Sequence, residues 1–270
     1  MQQTIHKTPA QHAFNKQSAI FDHIYTPNLI IQYKRQAVRD HMAAYLAPHS
    51  HILELNAGTG EDATYFAQQG HSVHATDIAE DMQQVLREKV QARGLTHQVS
   101  QEICSYTSLN NLQQQGPYDA IFSNFAGLNC TGQLHQVLSS FSPLLKPGGL
   151  VTLVIMPRFC LWEVLLLLKG KWRTAFRRFK GKNGVPARVE GIDFTCWYYP
   201  PRFIQGCLQE EFELLQTEGL CTIVPPSYLN TFPVKYPRLY QQLIKWEKRY
   251  KHTWPWRLIG DYYIISLRKK

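Results

Sequence analysis

Long apolar runs are missing from this sequence. The strongest candidate, residues 161–168, is short and carries Glu163, whereas a membrane span needs roughly eighteen or more apolar residues, so a spanning helix is not expected. The N-terminus, with Gln2, Gln3, His6 and Lys7, lacks the apolar centre of a signal peptide, and a cytoplasmic location is expected. The six cysteines form no C-x-x-C pair and no short Cys/His spacing. That pattern excludes an ordinary zinc site and leaves them as reduced core thiols, with no metal expected. Acidic residues are the scarcer charge, 20 Asp and Glu against 29 Lys and Arg, for a formal charge of +9. Such a balance suits nucleic acid, an anionic membrane surface or an acidic substrate, and equally a basic protein with none of these partners. Internal repeats and low-complexity tracts are also lacking.

What is present is enough to bury a core: 270 residues, 44% hydrophobic and 12% aromatic. From residue 51 short β-rich runs alternate with helical patterns, the signature of βαβ units and a parallel sheet. Strands are predicted at 51–55, 72–76 with Asp77 closing the run, 98–103, 118–123 and 150–156. Helices are predicted at 61–69, 81–93 and 133–145, the first two stopped by Gly70 and Gly94, where glycine takes the left-handed conformation freely. After Pro157 the rhythm breaks for about forty residues of aromatic and basic sequence. A helix at 203–210 and two last strands at 212–219 and 261–268 follow. Four parts result: a helical cover at 1–50, a cofactor-binding core at 51–156, an insertion at 157–200, and a closing part at 201–270 that carries an aromatic stretch at about 225–258.

The loop Glu54-Leu55-Asn56-Ala57-Gly58-Thr59-Gly60 falls where a strand gives way to a helix, so its backbone N–H groups are free to meet a polar ligand group. Asp77 ends the next strand at the distance where a carboxylate accepts hydrogen bonds from both hydroxyls of a ribose, which implies a nucleoside-containing cofactor. Gly58-Thr59-Gly60-Glu61-Asp62-Ala63 also satisfies the loose dinucleotide fingerprint, so these residues alone leave the cofactor open.

Glu54-x-Asn56-x-Gly58-x-Gly60 resembles the first motif of class I S-adenosylmethionine-dependent methyltransferases. Asp77 is similar to that family's second acidic site, and Lys146-Pro147-Gly148-Gly149 to the turn before its fifth strand. The resemblance covers residues 50–156 and the C-terminal strands. It implies a Rossmann-like α/β fold with a mostly parallel seven-stranded sheet, helices on both faces, an N-terminal helical extension and an insertion after strand five. It further implies S-adenosylmethionine as cofactor and S-adenosylhomocysteine as product. Glu54 then lies near the cofactor's amino group, Asn56, Ala57, Gly58 and Gly60 beside its methionine part, and Asp77 with Ile78 at its ribose. Ser105 stands near its base, and Ser123, Asn124 and Phe125 line the gap toward the acceptor. Two departures stand out: Asn56 replaces the usual first glycine, and Cys104 and Ser105 occupy the place of the acidic residue often found after the third strand.

A sulfonium is an already activated methyl donor, so the enzyme's task is alignment and exclusion of water. A base is needed only where the acceptor must lose a proton. Candidates are His12, Tyr25, His135, Tyr198 and Tyr199, with His135 first because it follows the acceptor-facing loop most closely. Phe14, Phe21, Tyr25 and Tyr33 give the N-terminal segment an aromatic face suited to covering the donor. Within the insertion Leu161, Val164, Leu165, Leu168 and Trp172 recur at helical spacing, and residues 169–182 hold lysines and arginines without one acidic residue. This basic amphipathic element, broken at Gly170, suits a lid over a greasy acceptor, an anionic membrane surface, or phosphate groups. Insertions at this place commonly build the acceptor pocket in the family, with Trp162, Trp172, Trp197, Tyr198 and Tyr199 as an aromatic wall.

The expected reaction is therefore methyl transfer, to an oxygen of a small aromatic or lipid-like acceptor of natural-product, quinone or lipid metabolism, with C- and N-methylation as variants. An RNA or DNA methyltransferase using residues 169–182 is the alternative. Ser123-Asn124-Phe125-Ala126 lacks the Pro-Pro-aromatic pattern of amino-methylating nucleic-acid enzymes, and no separate RNA-binding module is visible. A dinucleotide-binding or non-enzymatic protein could use the same fold, but Glu54 and the Lys-Pro-Gly-Gly turn argue against a dehydrogenase.

Overall fold

Two helices open the computed structural model, which describes residues 8–270: α1 (Pro9–Tyr25) and α2 (Leu29–Ala43). Each begins on a side-chain cap. Thr8 accepts from Gln11 N, and Asn28 accepts from Ile30 N and Ile31 N, satisfying amides that have no partner in a helix's first turn.

The alternating part follows as β1 (His51–Leu55), α3 (Glu61–Gln68), β2 (Ser72–Asp77), α4 (Glu80–Ala92), β3 (Val99–Ile103), β4 (Tyr118–Ser123), α5 (Leu134–Ser139), α6 (Phe141–Leu144) and β5 (Leu145–Ile155). The helix predicted over 133–145 is thus two short ones, and Pro143 has no N–H to carry a single helix through. Beyond β5 come α7 (Leu161–Leu165), α8 (Trp172–Phe176), β6 (Val185–Val189), β7 (Ile192–Cys196), α9 (Pro201–Leu208), β8 (Phe212–Leu220), α10 (Phe232–Lys235), α11 (Pro237–Tyr250) and β9 (Tyr262–Lys269). Seven strands form one sheet in the order β3-β2-β1-β4-β5-β9-β8, in which β9 runs antiparallel to both neighbours and all other pairs are parallel.

Successive side chains of a strand leave opposite faces, and this sheet is buried on both. Leu53 and Leu55 of β1, Ile121 of β4 and Val151, Leu153 and Ile155 of β5 join one core with α5 and α9. Ile52, Ala120, Phe122 and Val154 join the other, with Val38 and Met42 of α2, Phe66 of α3 and Leu86 and Val90 of α4. The near-continuous apolar runs of β4 and β5 follow from being covered twice. Glu54 leaves β1 on the second face, at the strand's carboxyl end, where open α/β sheets place their ligands.

Two elements were not foreseen. The sequence between α8 and α9 makes the antiparallel hairpin β6–β7, whose two-residue turn Glu190-Gly191 has both φ values positive, 48° and 80°. That is the turn whose twist matches paired strands. The aromatic stretch at 225–258 contains α11, a 14-residue helix. The basic segment is not one long amphipathic helix either: α7 and α8 are separate and joined by 3₁₀ turns, with Gly170 left-handed at φ +69° between them. Among the described residues no helix is long and apolar enough to cross a membrane.

Candidate active site

A cavity of about 760 Å³ opens at the carboxyl ends of β1, β2 and β4. Its floor is the loop after β1. Asn56 takes φ 48° there, the left-handed region that asparagine tolerates better than most residues, and so stands in for the missing glycine. Its side chain ties the loop to the end of β4: Nδ2 donates to Asn124 O at 3.0 Å, and Oδ1 accepts from Ser123 Oγ at 2.6 Å. Gly58, at φ +56°, lines the cavity, and a side chain placed there would meet no protein atom within 4 Å. The glycine keeps that space free for a ligand to approach the backbone.

Asp77 closes β2 with both oxygens engaged. Oδ2 accepts from Gly58 N at 2.9 Å and Oδ1 from Ala79 N at 2.8 Å. Burial pushes its carboxyl above the ordinary range, against the pull of these amides. Glu54 is buried on the same wall, and its Oε2 has no hydrogen-bond partner. Burial and then the neighbouring Asp62 raise the Glu54 carboxyl well above its usual value. Asp62 itself is neutralised, accepting from Arg39 Nε and from Asn124 Nδ2, each at 2.8 Å. Arg35 of α2 lines the cavity over the Phe125 ring at 5.1 Å and forms no ion pair among the described residues. Phe125 and Ala126 are consecutive non-glycine residues at φ 48° and 59°, backbone strain of the kind that collects at ligand sites.

Helix α1 roofs the cavity and is tied down on three sides. Asp22 accepts from Thr59 Oγ1 at 2.7 Å and pairs with Lys89 at 2.7 Å. Gln11 Nε2 donates to Ile78 O at 2.8 Å, while its own Oε1 is buried beside the cavity without a partner. Lys16 donates to Glu190 O at 2.9 Å, and the Phe14 and Phe194 rings meet at 6.0 Å, so helix and hairpin close the far side together. Phe14, Phe21, Tyr25, Phe194 and Trp197 make this part of the lining aromatic. Trp197 N donates to Asn129 O and Trp197 O accepts from Asn129 Nδ2, and the indole sits against Gly132 and Gly184, where a Cβ would come within 3.1 Å of the ring.

Of the residues singled out from sequence, Tyr25, Glu54, Asn56, Ala57, Gly58, Asp77, Ile78, Ser105, Asn124 and Phe125 line the cavity. Phe14, Phe21 and Trp197 line it too, and the remaining ones lie elsewhere. Gly60 caps α3 in the left-handed conformation and packs on Leu86. Ser123 is wholly buried behind Asn56. His135, the first candidate base, is exposed on α5 and does not face the cavity, nor does His12, exposed on α1. Trp172 is 64% exposed on the outer surface and Trp162 packs away from the cavity. Tyr198 is buried under Arg178, 5.2 Å from its ring, and Tyr199 sits in the first core against Phe203. Trp197 faces the cavity just beyond the end of β7, whereas the two residues after it are turned to the interior. Among titratable groups of the lining, Tyr106, Cys130 and Tyr262 are all raised by burial, the last two to about 12, so none of these three is a base at neutral pH. Gln11, Arg35, Asp62 and Phe194 were not anticipated. Asp62 sits within the quoted fingerprint, but the other three reach the site only through tertiary packing.

Residues 52–149 match the family described as a methyltransferase domain. A curated relative, the tuberculostearic acid methyltransferase UfaA1 of Mycobacterium tuberculosis, is 27% identical over 112 residues, which cover 40% of this chain and 25% of that protein. The chain therefore spans about a quarter of the length of the curated relative it matches. Among solved structures, the 1,6-didemethyltoxoflavin-N1-methyltransferase of Burkholderia thailandensis, with 1,6-didemethyltoxoflavin and S-adenosylhomocysteine bound, aligns over 97% of this chain and 88% of its own, at 14% identity and a TM-score of 0.57. A methyltransferase dependent on S-adenosylmethionine from Methanosarcina mazei aligns over 85% of this chain and 96% of its own, at 16% identity and a TM-score of 0.58. At these identities the structures speak for the fold, and the domain match speaks for the glycine loop and the strands around it. Sheet order, loop and domain match agree: residues 52–149 carry a methyltransferase domain, and the fold around it is the one seen in the S-adenosylmethionine-dependent methyltransferase structures with which the chain aligns.

Proposed function

We propose that the protein transfers a methyl group from S-adenosylmethionine to an oxygen of a small acceptor that is aromatic or carries a hydrocarbon chain, in natural-product, quinone or lipid metabolism. The observation that carries this reading is one cavity with two unlike walls: buried, under-satisfied polar groups at the carboxyl ends of the strands, and aromatic rings from α1 and the hairpin opposite.

The polar wall fits the cofactor. Glu54 Oε2, buried and unpartnered, can accept from an ammonium, and Arg35 can pair with a carboxylate, so the two opposite charges match the two ends of an amino acid. Asp77 has acceptor capacity left for ribose hydroxyls after its two backbone bonds. Gln11 Oε1 beside Ile78 supplies an acceptor on the side of the cavity where the acidic residue after β3 is missing. When bound there, S-adenosylmethionine supplies the activated methyl. The chain's part is to orient the acceptor, and its aromatic wall keeps water from it. With Tyr106, Cys130 and Tyr262 of the lining kept protonated by burial, an acceptor oxygen that ionises by itself, a phenol, enol or carboxylic acid, suits the site best. UfaA1 is named for tuberculostearic acid, which suggests an acid of lipid metabolism as one acceptor to test. The nucleic-acid alternative has less support, because Arg178 of the basic segment is buried and bonded to Glu163.

Calorimetric titration with S-adenosylhomocysteine and, in parallel, NADH tests the cofactor, and release of S-adenosylhomocysteine over a panel of phenols, hydroxyquinones, fatty acids and transfer RNA tests the acceptor. Micromolar binding of S-adenosylhomocysteine alone and turnover on the small acids or phenols is expected. Binding of NADH, or turnover on RNA only, would overturn the reading.

A further inference from the structure

Five apolar side chains between residues 165 and 179 face solvent: Leu165 at 43% exposure, Leu168 at 86%, Trp172 at 64%, Phe176 at 46% and Phe179 at 51%. The aromatic ones form a continuous surface rather than scattered points. Trp172 stacks on Phe176 with ring centres 6.4 Å apart, Phe176 meets Phe179 at 5.9 Å, and Phe179 meets Phe159 at 5.9 Å. A connected apolar patch on a basic surface calls for a partner.

The patch is firmly held. Arg178 is 2% exposed and bonds Glu163 of α7 together with the side chain and carbonyl of Asp261, while Arg177 makes a two-pronged bond to Glu163. Arg178 is thus turned inward to staple the segment to the body, and the partly exposed Arg177 reinforces it through the same Glu163. The staple leaves the aromatic side facing outward. Around it, residues 169–182 contain four lysines and three arginines and no acidic residue, with Lys171 and Arg173 exposed beside Trp172.

We propose that this element seats the protein on an anionic lipid bilayer, with Leu168, Trp172, Phe176 and Phe179 entering the headgroup region and Lys171 and Arg173 meeting lipid phosphates. Interfacial anchoring needs two signals, apolar insertion and basic attraction, and both are present on one short segment. A second copy of this chain fits less well, since it brings the same basic segment and the same net charge of +9. Nucleic acid would leave the aliphatic Leu168 uncovered. The chain runs from this patch directly into β6, whose Pro186 lines the cavity, so a seated protein holds the aromatic wall next to lipid. The proposal goes beyond the reading of the cavity and is tested without cofactor or acceptor, so its failure leaves that reading intact.

The test is flotation of the full chain with phosphatidylcholine vesicles and with phosphatidylcholine–phosphatidylglycerol vesicles, for the wild type and for the double variant Leu168→Ser, Trp172→Ser. Both positions are exposed, so the variant is expected to keep the wild-type melting temperature and affinity for S-adenosylhomocysteine. The expected result is binding to the anionic vesicles only, weakened by salt, and lowered about tenfold or more in the variant. Absence of binding to anionic vesicles, or equal binding by the variant, overturns the proposal. So does a concentration-dependent dimer, or binding of transfer RNA, that the wild type shows and the variant loses while vesicle binding is unchanged.

Discussion

Asp77 accepts one backbone N–H on each oxygen, from the glycine loop and from the start of α4, and the two bonds fix its carboxylate against the cavity. Asp77→Ala is expected to weaken S-adenosylhomocysteine binding at least about tenfold, or roughly 1.4 kcal/mol. Calorimetry on a folded variant checks it, and an unchanged dissociation constant would remove Asp77 from the site. Glu54 predicts a pH dependence. Burial and Asp62 hold its carboxyl well above the usual value, and a bound ammonium favours the ionised form. Affinity for S-adenosylhomocysteine is therefore expected to fall as pH drops through that raised value, and the slope should vanish in Glu54→Gln. In the free protein the sign is opposite: the folded state holds the proton more tightly than the unfolded one, so Glu54 takes stability away as pH rises through the same range. Glu54, Gly58 and Asp77 were legible because each answers to a local demand, a strand end or a glycine turn. Trp172, Tyr198 and Tyr199 were misplaced because composition names aromatic residues but not the face they take.

At the scale of elements, the insertion after β5 divides into a stapled surface segment and a hairpin. Arg178 joins α7 to the start of β9 through Glu163 and Asp261, and Lys34 of α2 reaches the same Asp261 at 2.8 Å. Cys160, Glu163 and Asp261 lie close enough to suggest a metal site, but three bonded cations already satisfy its carboxylates. Removing one partner of a buried ion cluster leaves the others unpaired. Arg178→Ala is expected to destabilise the fold by about 3–5 kcal/mol, read from urea unfolding. A loss under about 1 kcal/mol, the scale of surface pairs, would show the cluster to be dispensable. The strands β1 to β5 could be located from sequence because period-two patterns and glycine stops agree there. The hairpin could not, although Glu190-Gly191 between two alternating runs was a usable signal; the basic run before it drew the pattern toward a helix.

Across the whole molecule, the sheet was readable because each strand obeys its own burial, whereas the roof of the cavity rests on contacts that no local pattern encodes. The far edge of the sheet carries a titratable lock. Burial alone would raise the carboxyl of Glu218 on β8, yet His41 at 2.9 Å and Lys251 beside it bring it down to about 2. A lowered carboxylate contributes stability that is complete above its unfolded value and is lost as pH falls toward the folded one. Thermal melts are expected to drop between about pH 4.5 and 2, and less steeply in Glu218→Gln; parallel curves would assign the acid sensitivity elsewhere.

The roof has a consequence for how the protein comes into being. The bond between Lys16 and Glu190 joins residues 174 positions apart, so α1, which meets the glycine loop through Thr59 at a separation of 37, cannot close the far side of the cavity until most of the chain is made. Loop closure over such a span is slow to be repaid, and the cavity is accordingly among the last parts to be completed. A nascent or truncated chain that stops short of the hairpin would own the sheet's first five strands and still lack a finished binding chamber, which makes cofactor retention a readout of complete synthesis as much as of chemistry.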